Sequence, residues 1–136
     1  MLEQRFGVIG LALDWYWSYM SDRTQTFQVG SDNSIAFVID WSVPQGSVLG
    51  PLTFVAYTED LPAVIKQHHG DHDLYADDTQ RSDHSSIACV SDAVANIANC
   101  ITSINKWCTS KRLQFNLTKS ELIWFGTTTS LRRLRA

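Results

Sequence analysis

Two adjacent carboxylates behind an aromatic ring, in Tyr75-Ala76-Asp77-Asp78, are the residues in this chain best suited to chemistry. In a flat strand, neighbouring side chains point to opposite faces. At a tight hairpin turn, both carboxylates can instead reach toward one side, where they need a cation to offset their repulsion. Magnesium with phosphate ligands suits such a pair. Two hard cations about 4 Å apart on carboxylates would stabilise the attacking and leaving oxygens of a phosphoryl transfer. The plainer reading of an isolated Asp-Asp pair is an exposed acidic turn, so the pair gains meaning only with company elsewhere in the chain. A second cluster, His68, His69 and His72 with Asp71, Asp73 and the more distant His84, could take zinc or nickel. Adjacent histidines share one ion poorly, and the spacing is not that of the helical His-Glu-x-x-His motif.

The elements that must hold these residues are read from periodicity. Flanking runs at 72–75 and 79–83 read as short strands on either side of the paired aspartates. Residues 8–20 predict a helix. Thr24 to Val29 and Ser34 to Ile39 predict a hairpin with a turn at Gly30-Ser-Asp-Asn33. Ser47 is placed to cap a helix running toward Asp60, with Pro51 in its first turn, where a missing N–H has no intrahelical acceptor to lose. Lys66 to Asp73 reads as a surface loop. Val94, Ile97, Ile101, Ile104 and Trp107/Cys108 form an apolar stripe on a helix that begins near Ser91. Leu113, Phe115 and Leu117 alternate as in a half-buried strand, Leu122 to Phe125 reads as a more buried one, and the tail from Leu131 to Arg135 as frayed.

Composition bounds the rest. The chain has 136 residues, 44% hydrophobic and 18% charged, with net charge -3 and fifteen aromatic residues, five of them Trp. That is enough for a core, and it excludes disordered and collagen-like classes. The contiguous apolar runs fall short of the roughly 20 residues a membrane span needs. No secretory signal pattern opens the chain, so an intracellular protein, nuclear or cytoplasmic and not secreted, is expected. Cys89, Cys100 and Cys108 lack Cys-x-x-Cys spacing and read as buried, reduced thiols. The charge is polarised: residues 59–84 carry seven acids and two bases, residues 104–136 seven bases and one acid. Lys106, Lys111, Arg112, Lys119 and the terminal arginines could therefore lie against phosphate.

Four blocks supply the company the aspartates need: Ser18-Tyr-Met-Ser-Asp-Arg-Thr-Gln25, Val43-Pro-Gln-Gly-Ser-Val-Leu-Gly-Pro-Leu52, Leu74-Tyr-Ala-Asp-Asp-Thr-Gln80 and Phe115-Asn-Leu-Thr-Lys-Ser-Glu121. In order and spacing the chain resembles reverse transcriptases of non-long-terminal-repeat retrotransposons, over roughly residues 5–126. The resemblance implies an α/β fold of the α+β type: an incomplete polymerase palm with part of the fingers, an antiparallel sheet backed by helices. Residues 1–126 would be that domain and 127–136 a basic tail.

It also implies roles. Asp77 corresponds to a metal-binding carboxylate and Asp78 to its less direct partner, with Mg2+, or Mn2+, as cofactor. Tyr75 would pack beside the primer end. Pro44, Gln45 and Gly46 would lie near the template base and incoming nucleotide, glycine allowing close approach. Lys119 would neutralise or protonate departing pyrophosphate. The partners implied are an RNA template, a DNA primer and deoxynucleoside triphosphates. The family's first motif, an apolar strand ending in Phe-Asp, has no match here, and no thumb is present, so the stretch is expected to be inactive alone. Asp40 imitates that motif out of order and reads as a strand end. The alternatives are a non-catalytic nucleic-acid-binding remnant or a remnant without function. Three positions depart from the pattern: Ser42 where glycine is usual, Thr53 in an apolar helix, and Arg81 where an apolar residue is usual. A charge buried at Arg81 would be costly unless paired or turned to solvent.

Overall fold

A computed structural model describes residues 1–40, 42–43 and 46–134. Where the sequence suggests a single unit, the contacts divide the chain into two compact units, residues 1–53 and 54–136. The architecture is mixed α/β. In place of one antiparallel sheet, the described residues form three separate two-stranded antiparallel ribbons.

The first unit begins with helix α1 (Leu2–Phe6), closed by Gly7 at φ 66°, and helix α2 (Leu11–Met20). α2 starts later than its apolar pattern because Gly10, at φ 59°, turns the chain just before it. Strands β1 (Arg23–Gln25) and β4 (Phe37–Ile39) pair, and between them β2 (Gln28–Val29) pairs with β3 (Asp32–Asn33). The expected hairpin is present, with a tighter turn at Gly30-Ser31 and a break midway. Two residues, Thr26 and Phe27, face three, Ser34 to Ala36, so the register slips by one as in a bulge. Ser34 stitches the break: its backbone N–H donates to the Phe27 carbonyl, and its Oγ accepts from the Phe27 N–H at 2.9 Å. Asp40 directly succeeds β4, as expected of a strand end. The Thr53 hydroxyl is satisfied by the Tyr16 hydroxyl at 3.2 Å. Ser42 adopts φ 76°, the left-handed conformation that glycine would take without strain. Its carbonyl accepts from Arg23 Nη2.

Helix α3 (Gly50–Tyr57) leads into the second unit, with Pro51 in its first turn as expected. Helix α4 (Leu61–Lys66) then ends where the expected loop begins, and the last three residues of that loop, Asp71 to Asp73, belong to a strand. Strands β5 (Asp71–Tyr75) and β6 (Asp78–Ser82) form the third ribbon, and a 3-10 turn at Ile87–Cys89 feeds helix α5 (Val90–Ser110). The core is small: Leu61 and Ile65 of α4 meet Cys100, Ile104 and Cys108 of α5, with Trp107, Leu113 and Phe115 packed around them. The buried line on α5 runs i, i+4, i+8 through two cysteines, while Val94 of the expected stripe stays exposed. Full burial of Ile65 alone is worth about 1.5–3 kcal/mol. Residues 87–110 are also long and apolar enough to cross a membrane by length and composition, an 18-residue window within them having a mean hydropathy of 1.4. A search for contiguous apolar runs misses this, because Asn and Ser interrupt the pattern.

α5 ends in a Schellman motif. The Leu113 N–H donates to the Cys108 carbonyl at 2.8 Å and the Arg112 N–H to the Thr109 carbonyl at 3.1 Å, with Arg112 at φ 56° where glycine is usual. This turn and the docking of Leu113 and Phe115 replace the expected alternating strand at 113–117, which holds a 3-10 turn at Leu117–Lys119. Leu122 to Phe125 is not a strand either. No described segment pairs with it, and Phe125 is 89% exposed. The tail expected to fray instead forms helix α6 (Thr128–Leu134).

Candidate functional site

Tyr75 and Asp78 are the closing pair of the β5–β6 ladder, so the connecting turn is just Ala76-Asp77. Such short turns need positive φ at the first position and favour Gly or Asn there. Ala76 takes φ 53°, a conformation that costs a residue with a Cβ about 1–2 kcal/mol. Strain of this kind concentrates at functional sites. Asp77 thus lies at the tip and Asp78 opens β6, and both are exposed.

A cavity of about 700 Å³ runs along this unit, bordered by Asp77 and Asp78, by Lys119 on its 3-10 turn, and by apolar side chains including Leu74, Ile101 and Phe115. The structure therefore brings the two aspartates and Lys119 to one cavity. Asp78 also borders a shallower one of about 430 Å³ on the other side of the ribbon, with Asp73 and Tyr75. Tyr75 is 83% exposed. Gly46 belongs to the other unit. Its φ of 78° is a conformation that favours glycine, and a Cβ there would meet none of this chain's described atoms within 4 Å. Pro44 and Gln45 lie outside the described residues.

Two carboxylates with no basic partner suit a hard divalent cation. Among the described residues neither Asp77 nor Asp78 is ion-paired, and the cations Arg81 and Lys111 pair instead with Asp83 and Asp60. Also among the described residues, no three His, Cys, Asp or Glu side chains gather into a metal-holding group. The aspartate pair would therefore take its remaining ligands from water and from phosphate, as magnesium commonly does. In the histidine segment, the His68 ring is hydrogen-bonded to Ser103 Oγ at 3.0 Å, and His69 sits in a turn at φ 58°.

Several expectations change. Lys111 is not free for phosphate. Its ammonium pairs with Asp60 at 2.9 Å and lies 5.5 Å and 5.7 Å from the ring centres of Tyr57 and Trp107. The Trp107 indole N–H donates to Asp60 at 3.2 Å, and the Tyr57 hydroxyl donates to the Lys111 carbonyl. Asp60 precedes α4 without capping it, because its carboxylate is engaged here. Burial opposes its ionisation, but the hydrogen bond and charge of Lys111 outweigh that and hold it below the ordinary carboxylate value. No sequence signal could have found this clamp, since its partners are about fifty positions apart. Cys100 and Cys108 are buried as expected, and burial pushes both thiols up, the charge of Arg81 partly opposing this at Cys100. Cys89 is exposed, because it lies in the 3-10 turn ahead of α5.

Arg81 keeps its charge inside. Its side chain is 9% exposed, and Nη2 donates to the His68 carbonyl at 3.0 Å and to Asp83 at 3.2 Å. Nε and Nη1 have no hydrogen-bond partner among the described residues. Leaving such donors buried costs on the order of 1–3 kcal/mol.

Comparison with known proteins decides the family. The model of the family described as reverse transcriptase (RNA-dependent DNA polymerase) matches residues 4–131. This chain belongs to the reverse transcriptase family. It is 34% identical over 108 residues to "Probable RNA-directed DNA polymerase from transposon BS" of Drosophila melanogaster, which covers 76% of this chain and 12% of that protein. It is 31% identical over 113 residues to "Probable RNA-directed DNA polymerase from transposon X-element" of the same fly, covering 79% and 12%. This reverse transcriptase stretch thus spans about an eighth of the length of those relatives. No solved structure matches it.

Proposed function

We propose that this chain is the part of a retrotransposon RNA-directed DNA polymerase that presents the paired aspartates of the nucleotidyl-transfer site. One observation carries the reading: Asp77 and Asp78 sit at a strained two-residue turn and share a cavity with Lys119, in a chain of this family. In this reading residues 1–126 are palm with part of the fingers, and residues 127–136, which include α6, are a basic tail.

Asp77 and Asp78 would hold Mg2+, or Mn2+, and a cation there supplies charge neutralisation for the phosphate oxygens as the bond to the primer forms. The aspartates hold and orient. Lys119, on an exposed turn at the cavity edge, places its ammonium where pyrophosphate departs, to neutralise or protonate it. Tyr75 offers a stacking face for the primer end. Pro44, Gln45 and Gly46 are assigned to the template base and incoming nucleotide by their motif alone. The substrates are accordingly an RNA template, a DNA primer and deoxynucleoside triphosphates. An intracellular setting goes with this reading. The phosphate-binding alternative is weakened by the commitment of Lys111 to Asp60.

RNA-templated primer extension by the protein that carries this stretch in its full reading frame tests the proposal. Asp77→Asn is expected to lower the rate by at least about a hundredfold, as loss of a preorganised charge-stabilising group does. Extension that survives the substitution undiminished would overturn the assignment.

A further inference from the structure

The ribbon that carries Asp77 and Asp78 at its turn is hydrogen-bonded to its surroundings at the opposite end. A lone two-stranded ribbon has little stability of its own, and the side chains of β5 and β6 are mostly exposed. At the open end, Arg81 runs across Gly70, where an added Cβ would collide with Nε. Its Nη2 grips the His68 carbonyl ahead of β5 and the Asp83 carboxylate after β6. Asn96 of α5 donates from Nδ2 to the same His68 carbonyl at 2.8 Å and reaches Asp83 at 3.5 Å. The guanidinium therefore joins the two chain ends at the open end of the ribbon, and the Asn96 amide ties them to α5.

We propose that this clasp sets the angle at which the ribbon leaves α5, making Arg81 a positioning residue for Asp77 and Asp78. The inference rests on the metal-holding reading of those aspartates. Arg81 is three residues from Asp78, about 10 Å along a strand. A small tilt at the clasp therefore displaces the carboxylates through that arm. The guanidinium is suited to the task because it is planar and rigid, whereas an apolar side chain could fill the space but hold neither chain end. Gly70 is required for the same reason: the clasp passes over its Cα.

Mn2+ affinity of the full chain, its thermal midpoint and amide hydrogen exchange over residues 71–82 test this in Arg81→Met, Arg81→Lys and Asn96→Ala. Arg81→Met is expected to weaken Mn2+ binding about three- to tenfold and to speed exchange across the ribbon by about the same factor. Its midpoint should hold or rise, because the two unpartnered donors leave with the guanidinium. Arg81→Lys should recover part of the affinity. Unchanged affinity with unchanged exchange would overturn the proposal. So would losses of affinity and midpoint that are equal in the Met and Lys variants, which mark a merely structural residue. Asp77→Asn separates the two readings. If it leaves Mn2+ binding intact, the metal assignment fails, and the exchange data alone decide whether Arg81 orders the ribbon.

Discussion

Residues 1–53 and residues 54–136 are built on different principles. Every buried hydrophobic side chain among the described residues lies in the second unit, on α4 and α5. The first unit buries none of its described residues and is held by ladder bonds, by Arg23 on the Met20 and Ser42 carbonyls, and by tyrosine hydroxyls on Thr53 and Ser47. The turn bearing the paired aspartates is attached to the unit that has a core. The ribbon itself is mostly exposed, and it reaches the packed α4–α5 unit through the Arg81 and Asn96 hydrogen bonds to the His68 carbonyl and Asp83.

The comparison predicts unequal sensitivity. Ile104→Ala should cost about 2–5 kcal/mol, since a buried side chain leaves a cavity, whereas Leu11→Ala, at a site 87% exposed, should stay within about 0.5 kcal/mol. Denaturant unfolding of both variants checks this, and equal losses would break the contrast. The Lys111 clamp gives the next effect. Asp60 is held below its ordinary value of 3.8, so its contribution is full above that pH and is lost as pH falls through the lower folded value. The thermal midpoint of Asp60→Asn should therefore lie below that of the native chain near neutrality, the gap closing in acid.

Arg112→Gly should stabilise by about 1 kcal/mol by relieving the positive φ at the end of α5. Ser42→Gly should gain a similar or smaller amount in the first unit, and calorimetry of the pair shows which unit unfolds first. The smallest perturbation is chemical. Cys89 should react with a thiol reagent in the native state, while Cys100 and Cys108 react only on unfolding. Equal reactivity of all three would mean the α4–α5 packing is absent.

Local signals predicted the elements whose stability is local. The ribbon around Asp77-Asp78, the hairpin between β1 and β4, α2 and α5 were legible because turn residues and periodicity belong to each segment alone. The expected strands at 113–117 and 122–125 failed for a different reason. An alternating or apolar run marks a segment that can pair but does not supply a partner, and the Schellman turn at Arg112 carries no glycine to announce itself. Of the site, the aspartates and Lys119 were readable from motifs and do border one cavity. The Arg81 clasp and the Asp60–Lys111 clamp depend on contacts between distant positions, which no spacing rule encodes.

The most direct test of the central claim is a Mn2+ titration of this chain monitored by amide NMR. Paramagnetic broadening centred on Ala76, Asp77 and Asp78, abolished by Asp77→Asn, is the predicted result. Broadening centred instead on Asp71, Asp73 or the histidine segment, and indifferent to Asp77, would contradict the assignment of the turn as the metal-holding site.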